Sequence, residues 1–147
     1  MIISASRRTD IPSTHCKWFL EKLKDKYILV QNPFNKNKFY KVDLSKENVD
    51  IIVFWSKNPN IDFLEEVRNM GYKFYIHFTI TAYDKNIEKN IPNKELLIKK
   101  FINISDRFKK DKIVWRYDPI ILNKEFNSNY HIKNFSYISN ALKNYTD

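Results

Sequence analysis

Two arginines, a threonine and an aspartate in a row can hold an anion and handle a proton, and Arg7-Arg8-Thr9-Asp10 follows directly on the apolar run Met1-Ile2-Ile3. Guanidinium forks grip phosphate or carboxylate oxygens in pairs. A carboxylate beside them can hold a sugar hydroxyl, orient an arginine or act as a base. Charges left unpaired where a buried strand ends are costly, so their presence there points to a site. The theme recurs after three further apolar runs: Lys57 and Asn58 after Asp50 to Trp55; Thr79 and Thr81, then Tyr83 and Asp84, in the run from Lys73; and Arg116, Tyr117 and Asp118 after Ile113 to Trp115. The candidate ligand-binding residues are therefore Arg7, Arg8, Thr9, Asp10, Lys57, Asn58, Thr79, Thr81, Arg116, Tyr117 and Asp118, with Asp10 and Asp118 the candidate catalytic bases. Each has a structural alternative. Asp10 caps a helix, Lys57-Asn58-Pro59 makes a turn, and Arg116 and Asp118, two apart on one strand face, pair with each other.

Several chemistries are excluded by composition. One cysteine, Cys16, rules out an internal disulfide and any zinc or iron–sulfur site built from this chain's cysteines alone. One glycine, Gly71, rules out a Walker loop and a G-x-G-x-x-G dinucleotide loop. His77 lies inside an apolar run and reads as a hydrogen-bonded core residue. His15 and His131 fall on helices with no second ligand four residues on, so no metal site is expected. Trp18, Trp55 and Trp115 read as core or as lids over strand ends, with base stacking the alternative.

The elements that must position these residues alternate. Ile2 to Ser6 predicts a short buried strand. Asp10-Ile11-Pro12 opens a helix with proline in its first turn, and Cys16, Phe19, Leu20 and Leu23 share its apolar face. Tyr27 to Val30 and Phe39 to Leu44, separated by the polar Asn35 to Lys38, predict a hairpin. Asp50 to Trp55 is nearly all apolar, as in a parallel strand covered on both faces. Asn60 caps a helix with Phe63, Leu64, Val67 and Met70 inward, ended by Gly71. Lys73 to Thr81 is the next strand, and Asn93 caps a helix bearing Leu97, Phe101, Ile104 and Phe108. Ile113 to Pro119 is the last strand and its exit, and Ile132, Phe135, Ile138 and Leu142 mark the last helix. This order predicts an α/β fold in which four β-α units form a parallel sheet or half of a TIM-like barrel, with a β-hairpin inserted after the first helix. Residues 1–147 would make a single partial (β/α) barrel-like domain. Ligands of such sheets bind at the C-terminal strand ends, so the four exits are expected to share one basin.

Five segments carry a resemblance: Ile3 to Pro12, Val30 to Phe34, Ile52 to Pro59, Phe78 to Tyr83 and Trp115 to Ile120. In this order they resemble the bacterial domain-of-unknown-function family 1848, across essentially the whole chain. The resemblance implies members about twice as long, whose C-terminal part carries a cysteine cluster similar to that of radical S-adenosylmethionine enzymes. This sequence stops near Asp147 without such a cluster, so it is expected to be a fragment or a short form. An iron–sulfur cluster and S-adenosylmethionine would enter only with a C-terminal half, and the chain by itself is expected to need no cofactor. Four parallel strands cannot close a barrel, and their edges are left open. A second copy or a partner chain is therefore expected to cover them.

The net charge of +9 favours an anionic partner, although lysines at solvent-facing helix positions would account for it equally. The leading expectation is a small anionic ligand, a nucleotide or phosphate ester. The alternatives are the N-terminal half of a radical enzyme and a nucleic-acid-binding protein. No apolar run approaches the length needed to span a bilayer, and no signal-type segment opens the chain, so a cytoplasmic protein without membrane contact is expected.

Overall fold

A computed structural model describes residues 1–6 and 8–146. The described residues form six strands, β1 (Ile2–Ser4), β2 (Tyr27–Gln31), β3 (Phe39–Asp43), β4 (Ile51–Ser56), β5 (Phe74–Thr79) and β6 (Ile113–Arg116), and five α-helices. The helices are α1 (Ile11–Thr14), α2 (Cys16–Asp25), α3 (Ile61–Asn69), α4 (Lys94–Phe108) and α5 (Ser128–Leu142). The strands form a parallel four-stranded sheet of order β1-β4-β5-β6 and a separate antiparallel hairpin, β2-β3, so the predicted α/β class and the inserted hairpin are both present. The chain divides into two compact units, one of residues 1–54 and 60–75 and one of residues 55–59 and 76–147.

In the first unit β1 pairs with β4 in register, Ile2 opposite Ile51 and Ser4 opposite Val53. The strand was expected to be buried, but Ile2 and Ser4 are exposed. Among the described residues it pairs with β4 alone, and Ile2 and Ser4 border an open space shared with α2 and the β2-β3 hairpin. The single first helix of the sequence reading breaks at His15 into α1 and α2. Asp10 caps α1, its Oδ1 accepting from the Ser13 backbone N–H at 3.1 Å. Phe19, Leu20 and Leu23 of α2 are buried, whereas Cys16 is only half-buried. Its thiol donates to the Pro12 carbonyl at 3.2 Å, and burial pushes its pKa up. Asn60 caps α3, accepting from the Phe63 N–H at 3.1 Å. Gly71 ends the helix at φ +86°, where a side chain would be strained. Phe19, Phe54 and Phe63 pack edge to face at the centre of this unit, with ring centroids 5.5–6.2 Å apart.

In the second unit β5 pairs with β6, His77 opposite Val114 and Thr79 opposite Arg116. Asn93 caps α4, accepting from the Leu96 N–H at 2.9 Å. Leu97, Phe101, Ile104 and Phe108 are buried as their spacing predicts. The last helix differs from the prediction: Ile132 and Phe135 are 65% and 46% exposed, and His131 is buried together with Ile138 and Leu142. The helix is rotated so that a polar side chain with two hydrogen-bond partners faces inward, a face that apolar spacing does not reveal. The expected two-sided burial of β4 also fails. Its residues alternate half-buried and buried, with Ile52, Phe54 and Ser56 inward. An apolar run in sequence does not require cover on both faces, because aliphatic side chains tolerate a half-exposed face.

Candidate functional site

Alternation along β5 and β6 assembles the principal group in the second unit. Ile76, Phe78 and Ile113 turn into the core, so His77, Thr79, Val114 and Arg116 lie on the opposite, half-buried face. Trp55 joins them, its indole stacked on the His77 ring with centroids 5.1 Å apart and planes 11° from parallel. Burial, and after it the positive charge of Arg116, holds the His77 imidazole below its ordinary pKa of 6.5, so it is neutral at neutral pH. Arg116 Nη2 donates to Asp118 Oδ2 at 2.7 Å, so the structural alternative foreseen for this pair is realised. That contact uses one of five guanidinium donors. The Thr81 hydroxyl just beyond β5 is buried, with no hydrogen-bond partner among the described residues.

Lys57 and Asn58 are held differently. The Lys57 ammonium pairs with Glu88, which neutralises its charge locally. The Asn58 side-chain oxygen accepts from Lys100 Nζ, and its backbone N–H donates to Ser56 Oγ at 3.1 Å. Burial lowers the pKa of the Lys100 ammonium. These contacts make the Lys57-Asn58-Pro59 segment a fixed corner.

Tyr117 is tied into the support beneath this group. Its hydroxyl lies 2.9 Å from His131 Nδ1, and His131 Nε2 lies 2.9 Å from the Ile121 carbonyl. A carbonyl accepts only, so Nε2 carries the proton and Nδ1 accepts from the tyrosine. Burial first, and then the neighbouring phenols of Tyr83 and Tyr130, push the Tyr117 pKa up to about 12. Tyr83 donates to the Pro119 carbonyl at 3.0 Å and accepts from the Ile121 N–H at 2.7 Å, and Tyr130 donates to the Ala82 carbonyl at 2.7 Å. Phenol hydroxyls thus hold the 117–121 segment, which would otherwise lack secondary-structure partners.

In the first unit Arg8 and Thr9 are exposed, and Arg8 Nη1 reaches the Gln31 carbonyl only at 3.5 Å. Asp10 is engaged in capping α1. Arg7 lies outside the described residues. The second unit therefore sets Thr79 opposite Arg116 and pairs Arg116 with Asp118, whereas Thr81 is buried beyond β5, Lys57 and Asn58 are held by Glu88 and Lys100, and Tyr117 turns toward His131.

The sequence reads His77 as a core residue and Trp55 as core or a lid, with base stacking only the alternative, so neither stood among the ligand-binding candidates. The usable signal was parity: His77 stands two residues before Thr79, as Val114 stands two before Arg116. Glu88, Lys100 and His131 carried no local signal, because they reach their partners across 31, 42 and 14 residues. Among the described residues no group of three or more His, Cys, Asp or Glu could hold a metal. The lone thiol of Cys16, directed at main-chain carbonyls, does not fit the ligand set of an iron–sulfur cluster. No helix of the described residues is long and apolar enough to cross a membrane.

The family model described as Domain of unknown function (DUF1848) matches residues 2–147. No curated protein and no solved structure matches the chain.

Proposed function

The chain belongs to that family, and on that premise we propose that its second unit binds a small anionic ligand, a nucleotide or another phosphate ester. One observation carries this reading: Thr79 and Arg116 are register partners on the half-buried face that also bears the Trp55–His77 stack. A phosphate takes the remaining guanidinium donors and the Thr79 hydroxyl. The buried Thr81 hydroxyl, without a hydrogen-bond partner among the described residues, is a further donor. A base or other flat group takes the aromatic surface. Because His77 is neutral, it adds no second cation to this face. Asp118 opposes a second anion beside Arg116, so ligand competes with the carboxylate for the guanidinium. Arg8 and Thr9 lie in the other unit, and this reading does not call on them.

Calorimetric titration of the intact chain with nucleoside monophosphates, the matching nucleosides and inorganic phosphate tests the proposal. Monophosphates should bind more tightly than nucleosides. Arg116→Gln should weaken them by roughly 10- to 100-fold, the equivalent of about 1.5–3 kcal/mol for a charged hydrogen bond. Asp118→Asn should strengthen them. Absence of binding by both monophosphates and inorganic phosphate would refute the reading, as would equal affinity for the wild type and Arg116→Gln.

A further inference from the structure

In the first unit a cavity of about 520 Å³ runs between β1, α2 and the inner face of the hairpin. Its walls are apolar: Ile2 from the strand, Trp18 and Phe19 from the helix, and Ile28, Val30 and Val42 from the hairpin. One wall, however, is main chain. In the β1–β4 pair the Met1 carbonyl accepts from the Asp50 N–H and the Ala5 N–H donates to the Val53 carbonyl, both at 2.9 Å. Odd-numbered residues therefore face β4, and Ile2 and Ser4 turn their N–H and C=O groups to the other side. No backbone partner meets those groups among the described residues. The Ser6 hydroxyl also lines the cavity, buried and without a hydrogen-bond partner among the described residues, from a residue held at φ +73°. Arg8 lines it just beyond the end of β1.

This combination selects its occupant. A hydrocarbon would fill the apolar walls and leave the strand edge dry and unpaired, which is costly. A soluble polar ligand would leave the walls unsatisfied. An extended peptide meets both needs, pairing its main chain with Ile2 and Ser4 while alternate side chains enter the groove. We infer that β1 and this groove receive an added β-strand: an extended peptide segment with alternate apolar side chains and an acidic group at the end that meets Arg8. The guanidinium is exposed, and its 3.5 Å contact to the Gln31 carbonyl is long enough to give way to a carboxylate.

The test is a random-heptapeptide display library panned on the intact chain, followed by affinity measurement on the enriched peptides. Enriched sequences should alternate apolar residues and carry an acidic residue or free carboxylate at one end. Ser4→Pro blocks only the outward N–H and leaves the β1–β4 bonds in place; it should weaken binding at least 10-fold with an unchanged circular dichroism spectrum. Val30→Lys, which charges the opposite wall, should do the same if Ser4→Pro unfolds the protein. Arg8→Gln should weaken binding several-fold. No enrichment, or peptides that bind Val30→Lys and Ser4→Pro as tightly as the wild type, would overturn the inference. So would a dimer, seen by sedimentation equilibrium, that Ser4→Pro dissociates, since the edge would then belong to a second copy. Uptake of dansyl-undecanoic acid unaffected by Ser4→Pro, with no peptide bound, would overturn it in favour of a lipid-like ligand.

Discussion

Replacing Tyr117 by phenylalanine should destabilise the protein near neutral pH and lose that effect as the solution becomes strongly alkaline. Near neutral pH the variant leaves His131 Nδ1, on a buried ring, without its 2.9 Å donor. An unsatisfied buried acceptor costs about 1–3 kcal/mol. The alkaline half follows from the Tyr117 pKa, which is raised from 10.0 to about 12. The folded protein holds that proton more tightly than the unfolded chain does. Its stabilising effect is therefore complete below pH 10 and is lost as pH rises through 12. A rise of about two units sets the full loss at no more than about 3 kcal/mol, and solvent around the half-buried ring reduces it. The phenylalanine variant has no proton there to lose. Other tyrosines and the lysines titrate in both proteins, so the difference between their urea-unfolding free energies isolates Tyr117. That difference should be about 1–3 kcal/mol near neutral pH and should fall toward zero or change sign by about pH 12. An ultraviolet titration of tyrosinate should show one fewer late-titrating phenol in the variant. A stability difference that stays constant through the alkaline range would refute the reasoning, because Tyr117 would then titrate like a free phenol.

Arg116→Gln should raise the His77 pKa, read from its imidazole proton shifts by nuclear magnetic resonance. The value should stay below the ordinary 6.5, because burial is the larger cause of its depression. A depressed imidazole pKa contributes stability that is present above pH 6.5 and lost as pH falls through the folded value, so the variant should lose less stability on acidification than the wild type. An unmoved His77 resonance would remove Arg116 from its surroundings. Asn93→Ala removes the acceptor 2.9 Å from the Leu96 N–H and should cost about 1 kcal/mol in urea unfolding; an unchanged midpoint would mean that the α4 terminus is satisfied without its cap.

Much of the fold was legible in the chain because its signals are local. Asn60 and Asn93 cap the helices they precede, Gly71 ends α3, and Phe101 and Ile104 are buried at their predicted spacing. Helix caps and periodicity depend on residues three or four apart, so a linear reading reaches them. Burial was less legible. The apolar β4 is covered on one face and half-exposed on the other, and Ile132 and Phe135 face outward while His131 faces inward. A hydrophobic side chain records that it could be buried, and only the packed neighbours decide whether it is.

The candidate site divides along the same line. Sequence alone determined the kinds of groups that leave each strand: cations, hydroxyls and carboxylates at Lys57, Thr79, Arg116 and Asp118, with too few cysteines and glycines for a cluster or a phosphate loop. Tertiary structure decided which of them are already spent. Glu88 takes Lys57, His131 takes the Tyr117 hydroxyl, Asp118 takes one donor of Arg116, and Trp55 stacks on a neutral His77 beside it. The physical reason is that charge and hydrogen-bonding capacity belong to the residue, whereas their availability depends on which distant segment folds against it.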